Sequence, residues 1–555
     1  MGKLEELQAK WGALKEERHA WEEEYEEISR LIFPRRDTWQ RDDGQPTTKD
    51  RTVYDGTPIG ALNLLANGLV GYLVSPSYPW FKLRIPLDQG SEIPGARQWL
   101  ETCEQILYQN FHQSNFYEEI VETFKDGGAT GFGTIFEEED PARSVPVFHS
   151  VHNKEVFIAE NAQGRIDTTF REFHTTARNA VQRFGEENVS DRTRELAETH
   201  PYERVRVVHS VYPRTDRDVT KIDAKNKKYA SIYFEPDAGV VLNESGFDEA
   251  RYHHLRWSTN SDEVYPRGPG YDALTDAKKS NAISKAMLKA AELSVNPPVN
   301  VPNDMLRRIK LSPGARNPYS PSGGRTEPIQ MVGNYPIGRD REQALQQIIE
   351  QHFMVDFFLM LQRAPEGMTA TEVMERQSEK AAVLGTVIGR ISSELLDPVI
   401  KTTFKLAGKA GQIPDPPPAL VEALEESGRK MQIEYVGALA QAQRRFYATR
   451  GMQQGLQAFM PLMEAHPALQ DLINWDQAGR HLLEEYGVPA DIIRDKDQLR
   501  QIRMRRQQAR QQQQQQQQQM EAAEAYQNLK EAPQQGSPVS EIGKQMKQAL
   551  QRGGA

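Results

Sequence analysis

Two stretches of helical period, separated by a region rich in Pro and Gly, dominate the pattern between Tyr265 and Thr371. From about Tyr271 to Val295 the residues Leu274, Ala277, Ala282, Ile283, Ala286, Met287, Ala290 and Ala291 make small apolar faces. Lys278, Lys285 and Lys289 share one polar stripe. This helix opens past Pro269-Gly270 and stops at Pro297-Pro298, where the missing N–H groups end it. A second helix is predicted from about Asp340 to Leu361, with Asp340 and Glu342 suited to its N-terminus. Leu345, Ile348, Ile349, Phe353, Met354, Phe357, Phe358 and Leu361 give it an apolar surface too broad for one partner helix. Each helix spans roughly 35 Å at 1.5 Å per residue. Together with the Pro- and Gly-rich residues 296–338 between them, they read as a stalk with a small tip. Pattern alone leaves two arrangements open, a hairpin inside one subunit's core or hairpins packed side by side in a ring.

The flanking chain divides by the same criterion. Residues 1–33 predict a charged helix with nine Glu before residue 30, whose apolar side is Trp11, Leu14, Trp21, Tyr25 and Ile28. From Gly56 to Phe81 there is no charged residue, but Ile59, Leu62, Leu65, Leu69 and Leu73 form a stripe with Asn63 and Asn67 elsewhere. A buried amphipathic helix is therefore expected in place of a membrane span. Helices are predicted over about 96–111 and 116–126, then a tight Gly-rich turn at 127–133 leading into a strand at 134–138. From Val145 to Leu255 short strand-like runs alternate with turn residues, interrupted by helices near 177–184 and 192–198. This predicts an α+β domain. Residues 370–408 predict a long helix, kinked near Gly385, Gly389 or Pro398. Further helical patterns fill 438–486. Seven basic residues against two acidic ones mark 494–510, and nine consecutive Gln follow at 511–519. Residues 501–555 read as either helical or disordered.

At 555 residues the chain holds several domains. Its net charge of −10 argues against tight nucleic-acid binding, which needs a surplus of Lys and Arg, but not against a surface that nucleic acid slides past. One cysteine, Cys103, excludes an intrachain disulfide and fits a reducing compartment. The charged N-terminus lacks the apolar core of a signal peptide.

Catalytic patterns are missing. The Gly run at 127–133 leaves a helix and enters a strand, the reverse of a phosphate-binding loop. There is no P-loop, H-E-x-x-H, C-x-x-C or G-x-S-x-G motif. His253 and His254 are adjacent in a strand-like run and point to opposite faces, which disfavours a shared metal. No enzyme, cofactor or metal site is expected. The stripe of Lys278, Lys285 and Lys289 is a candidate for phosphate contact, a solvated face, or pairing with acids. The basic segment with Arg500, Arg503, Arg505, Arg506 and Arg510 is a candidate nucleic-acid or acidic-partner contact, or a solvated helix before the tail.

Several stretches, in order, resemble the portal proteins of short-tailed bacteriophages, the head-to-tail connector family. They are Tyr54-Asp55-Gly56-Thr57 with LVSPSYPWFKL (73–83), GGATGFGT (127–134), residues 241–281, LSPGARNPYS (311–320), RAPEGMTATEVMERQSE (363–379) and ELLDPVI (394–400). Pro266 departs from the Gly common in the family. The likeness covers most of residues 1–410.

The resemblance implies a mainly α subunit with an α+β wing domain, assembling into a ring of usually twelve copies at one capsid vertex. Mapped onto this chain, residues 1–264 carry the N-terminal helices and wing, 265–295 and 339–362 the stem helices, and 296–338 the clip. Residues 363–370 become a tunnel loop, 371–410 the long wing helix, 411–500 the crown, and 501–555 a helical barrel or a disordered tail. Implied partners are double-stranded DNA in transit, the terminase large subunit, tail adaptor proteins, and capsid and scaffolding proteins, with no membrane. The site is the virion, reached by assembly in the host cytoplasm. Channel candidates are Lys278, Lys285, Lys289, Arg363, Glu366 and Met368. Subunit-interface candidates are Phe353, Phe357 and Phe358, packed between subunits or between adjacent helices. The competing reading is a helical scaffold that oligomerises without conducting DNA.

Overall fold

The computed structural model describes residues 2–36, 53–85, 93, 95–140, 144–218, 220–221, 223–295, 297–300, 327–328, 335–362, 384–427, 431–437, 459–463, 466, 469, 473–477, 479 and 496–530. The charged N-terminal stretch is one helix, α1 (Lys3–Leu31). Its apolar side serves two layers. Leu7 is buried against the sheet and Trp11 stands edge-on to Phe157 and Phe234, both at 6.5 Å. Tyr25 and Ile28 enter the main core. Between them Arg18 is buried, and its guanidinium donates to the carbonyls of Asn153, Lys154 and Val156 while lying over the Phe157 ring.

The uncharged stretch folds as α2 (Thr57–Leu73), with Leu62, Leu65, Leu69 and Leu73 buried. Among the described residues no helix is long and apolar enough to cross a membrane. β1 (Phe81–Arg84) follows, then α3 (Ala96–Gln113) and α4 (Phe116–Thr130). The predicted Gly-rich turn starts later than its sequence suggests, because α4 continues through Gly127 and Gly128. The helix uses them for close approach: a Cβ on Gly128 would lie 2.8 Å from a Leu62 methyl of α2. Gly131 then ends α4 at φ 87°, a left-handed cap, and β2 (Phe132–Asp140) begins at once.

The β region contains β3 (Val145–Val151), β4 (Val156–Glu160), β5 (Ile166–Thr176), α5 (Ala177–Phe184), α6 (Asp191–Thr199), β6 (Arg204–Pro213), β7 (Tyr229–Glu235), β8 (Val240–Phe247) and β9 (Tyr252–Arg256). It forms two antiparallel sheets, β3-β2-β9 and β4-β5-β6-β7-β8. Both predicted inner helices are present; Thr176 and Ser190 cap their N-termini through side-chain oxygens. His253 and His254 diverge as expected of neighbours in a strand. His254 bonds the hydroxyls of Thr134 and Thr169, whereas His253 faces Glu137 at 3.0 Å.

The long helical pair is α7 (Pro269–Val295) and α8 (Tyr335–His352), with a two-residue ladder between β10 (Val299–Asn300) and β11 (Glu327–Pro328). The second predicted stalk helix is not continuous. It breaks at Met354, whose φ of 56° is uncommon for a residue with a side chain, and resumes as α9 (Val355–Gln362). The break allows Phe353, Phe357 and Phe358 all to face the core.

The predicted long helix is present from α10 (Gly385–Arg390) through a π-helical turn (Ile391–Leu396) to α11 (Asp397–Lys409). Its irregularity sits just before Pro398, which has no N–H for the carbonyl one turn back. α12 (Pro418–Ser427) and β12 (Gln432–Tyr435) follow, and β12 pairs antiparallel with β1. The β12 strand has no clear signature in the pattern.

One ionisable group under α1 makes a pH-dependent contribution. Asp126 of α4 is fully buried, and burial pushes its carboxyl up to about 7 although Arg36 lies 3.0 Å away. The folded chain thus holds this proton more tightly than the unfolded one. The stabilising effect is present below pH 4 and is lost as pH rises towards 7. The Asp126→Asn variant is expected to flatten that part of a denaturant-midpoint profile measured from pH 4 to 7.5.

Residues Phe459–Ala555 form a separate unit. Its main element is α13 (Lys496–Lys530), a 35-residue helix that includes the whole Gln run.

Candidate functional site

The hairpin of α7 and α8 has a base fixed in the subunit and a distal part that stands clear of it. Ala273, Leu274, Ala277 and Ser280 are buried, and no residue of α7 beyond Ser280 is. The base is locked by the Tyr54-Asp55-Gly56-Thr57 motif. Asp55 accepts from the Thr57 amide (2.9 Å) and hydroxyl (2.7 Å) with one oxygen, and from the buried Ser280 hydroxyl with the other. Asn281 accepts in turn from the amides of Tyr54 (2.6 Å) and Asp55 (3.2 Å). One carboxylate thus starts α2 and fixes where α7 leaves the core. Asp55→Ala strands a buried hydroxyl and removes charge-assisted bonds, so a loss of about 2–3 kcal/mol is expected from denaturant titration.

From Ser280 to Val295 α7 advances about 22 Å. It runs antiparallel to α8, with His352 facing Asp276 (3.8 Å), Ser284 donating to Glu342, and Met287 against Gly338. This contact covers one side of the pair only. Leu288 is 51% exposed, Val295 87%, Ile337 64% and Ile348 40%. Ala282, Ala286 and Ala291 are exposed as well. Small and branched apolar side chains therefore lie in solvent along the part of the hairpin that leaves the subunit.

The lysine stripe does not act as one patch. Lys278 pairs with Glu27 of α1, and Lys285 lies 5.4 Å over the Tyr54 ring. Lys289 is exposed on the distal part. α1 also reaches the hairpin base through Glu24, which accepts from the Tyr271 hydroxyl at 3.3 Å.

Phe353, Phe357 and Phe358, expected as subunit-interface residues, are buried inside the subunit at 0%, 5% and 0% exposure. Phe358 fits over Gly68 of α2, where an added Cβ would come within 2.3 Å of its ring, and stacks with Tyr72 at 6.3 Å. These side chains pack between adjacent helices of one chain, which leaves them no surface for a second copy. The apolar residues exposed on the hairpin are others, Leu288 among them, which the predicted interface set omits. The Asp55–Ser280–Asn281 latch joins residues more than 200 positions apart and has no local signature in the sequence.

Arg363, Glu366 and Met368, with most of the clip, the tunnel loop, residues 371–383 and residues 531–555, lie outside the described residues. In the C-terminal unit, Arg500, Arg503, Arg505, Arg506 and Arg510 are exposed on α13. Arg503 makes a two-pronged pair with Asp476, 2.6 Å for each nitrogen. Among the described residues no group of three or more His, Cys, Asp or Glu could hold a metal.

Comparison with known proteins places these features. A family described as bacteriophage head to tail connecting protein matches residues 4–493. The probable portal protein of Bordetella phage BPP-1 is 31% identical over 514 residues, covering 90% of each chain. The portal protein of Salmonella phage epsilon15 is 30% identical over 514 residues, again covering 90% of each. Among solved structures, a chain from the virion of a native gene transfer agent particle aligns over 75% of this chain and 88% of its own, at 12% identity and a TM-score of 0.30.

Proposed function

Since this chain belongs to the family of bacteriophage head-to-tail connecting proteins, the portal proteins, we propose that its copies close into a ring around a channel for double-stranded DNA at one capsid vertex. The ring, of about twelve copies as the resemblance implies, passes DNA inward during packaging and outward during ejection. The observation that carries this reading is the exposed apolar surface of the distal hairpin. Such a surface is costly in water, and closed cyclic symmetry covers it on every copy with the same contact.

Charge supports a conduit over a DNA clamp. The net charge is −10, and α1 neutralises Lys278 at the hairpin base. Few phosphate contacts mean little affinity to overcome as DNA moves. The clip at 296–338 docks the terminase large subunit and later the tail adaptor proteins. The rest of the outer surface meets capsid and scaffolding proteins, and assembly takes place in the host cytoplasm before the protein joins the virion. ATP hydrolysis belongs to the terminase; the ring itself is structural. α13 is long and polar, with Met504 and Met520 exposed, and fits a barrel of parallel helices that copies complete together.

Light scattering on the purified protein over a range of salt and protein concentrations tests the assembly. A closed species of many subunits is the expected result, and a monomer or dimer throughout would contradict the proposal.

A further inference from the structure

The π-helical turn Ile391–Leu396 interrupts a helix that is regular on both sides. A π turn holds one residue more than an α turn, and such turns are frequent at functional sites. Pro398 follows the turn, and the side chains of three residues, Arg256, Tyr435 and Arg390, brace it. The buried Arg256 of β9 grips Glu394 with Nε (2.7 Å) and Nη2 (2.9 Å). The Ser392 carbonyl accepts from the Asp397 amide, the long bond of the turn. The Tyr435 hydroxyl of β12 donates its one proton to the Asp397 side chain at 2.6 Å and lies 3.3 Å from the Ser392 carbonyl. Arg390, just before the turn, donates to the Trp257 carbonyl at 3.2 Å.

We propose that this turn is a register switch in the long helix, held in its wide form by Tyr435 and Arg256. Tightening the turn to α geometry places the extra residue in the helix. α10 is then displaced by one residue, about 1.5 Å along the axis and about 100° around it.

The residues of α10 admit this shift. With α11 fixed, each site in α10 passes to the next residue in the chain. The sites of the buried Leu384 and Ile388 pass to Gly385 and Gly389. A glycine enters either site without steric conflict. Ile388 moves into the Val387 position, which is half-buried. The shifted register therefore packs less apolar volume, which makes the wide turn the resting form. Gly389 meets nothing within 4 Å of an added Cβ, so a larger residue fits there in the wide register. The switch is a property of the subunit and goes beyond the channel reading.

Two substitutions and one deletion each close the turn, with opposite consequences for the position of α10. Tyr435→Phe removes the hydroxyl's bond to Asp397 at the end of the turn and leaves the ring in place. Gly389→Leu supplies the apolar volume that the shifted register lacks. Together they are expected to yield a helix with continuous i to i−4 bonds through 391–397 and α10 advanced by one residue. Deleting Ser393, which is exposed, removes the extra residue and is expected to give α geometry up to the proline, with Leu384 and Ile388 still in their buried sites. Electron cryomicroscopy at side-chain resolution reads both outcomes directly. A double variant that keeps the π turn and the wild-type position of α10 would overturn the switch. So would a deletion variant that displaces α10, because the turn would then not hold a removable residue. The register is legible whatever the number of subunits, so a failure here is distinct from a failure of the channel reading.

Discussion

Phe358→Asp is expected to unfold the subunit. The phenyl ring is fully buried over Gly68, in a slot that α2 shapes for it. Removing a buried Phe costs about 3–5 kcal/mol in lost transfer energy and cavity, and a carboxylate without a partner adds a desolvation penalty. The total approaches the whole stability of a typical domain. The variant should be recovered as aggregate or as a species without a cooperative thermal transition. Folded monomers that merely fail to associate would show that the ring lies between subunits, contrary to its burial here.

Leu288→Glu is expected to do the opposite, leaving the subunit folded and preventing assembly. The side chain is half exposed on the distal hairpin, beyond the last buried residue of α7. A charge there costs the isolated subunit little, since surface changes usually fall within about 0.5 kcal/mol. In a ring the same charge is buried at every interface, where losing an anchoring apolar contact costs about 2 kcal/mol or more. The penalty recurs once per subunit. Circular dichroism should show an unchanged melting transition, while light scattering should show monomer where the wild type is assembled. Full assembly of this variant would remove the hairpin face from the interface. The two substitutions thus separate the part of the hairpin that builds the subunit from the part that is free to join copies.

That separation also marks what the sequence discloses. The hairpin was legible because its two helices carry long apolar stripes bounded by proline pairs and glycine. Most strands of the β region and both of its inner helices were legible from short runs and turn residues. The direction of each apolar stripe was not. The surface of 345–361 is broad enough for several partners, and period alone does not say whether those partners belong to the same chain. The answer depends on Gly68 and Tyr72, about 290 residues earlier in the chain. The break at Met354 was hidden for the same reason, because the core contacts of three phenylalanines outweigh the local cost of a positive φ. Lys278, Lys285 and Lys289 share a helical spacing, but α1 supplies a carboxylate for Lys278 from more than 200 residues away. The π turn was visible only as a potential kink, since Pro398 announces a lost bond without saying how the helix absorbs it. Long-range partners are what periodicity omits, and here they decide which residues face another copy.

Electron cryomicroscopy of the assembled wild-type protein tests the central claim most directly. The account predicts a closed ring with a central hole wide enough for a DNA duplex, with Leu288 and its neighbours on the distal hairpin buried between copies. A closed oligomer without such a hole, or one whose contacts leave the hairpin face in solvent, would contradict it.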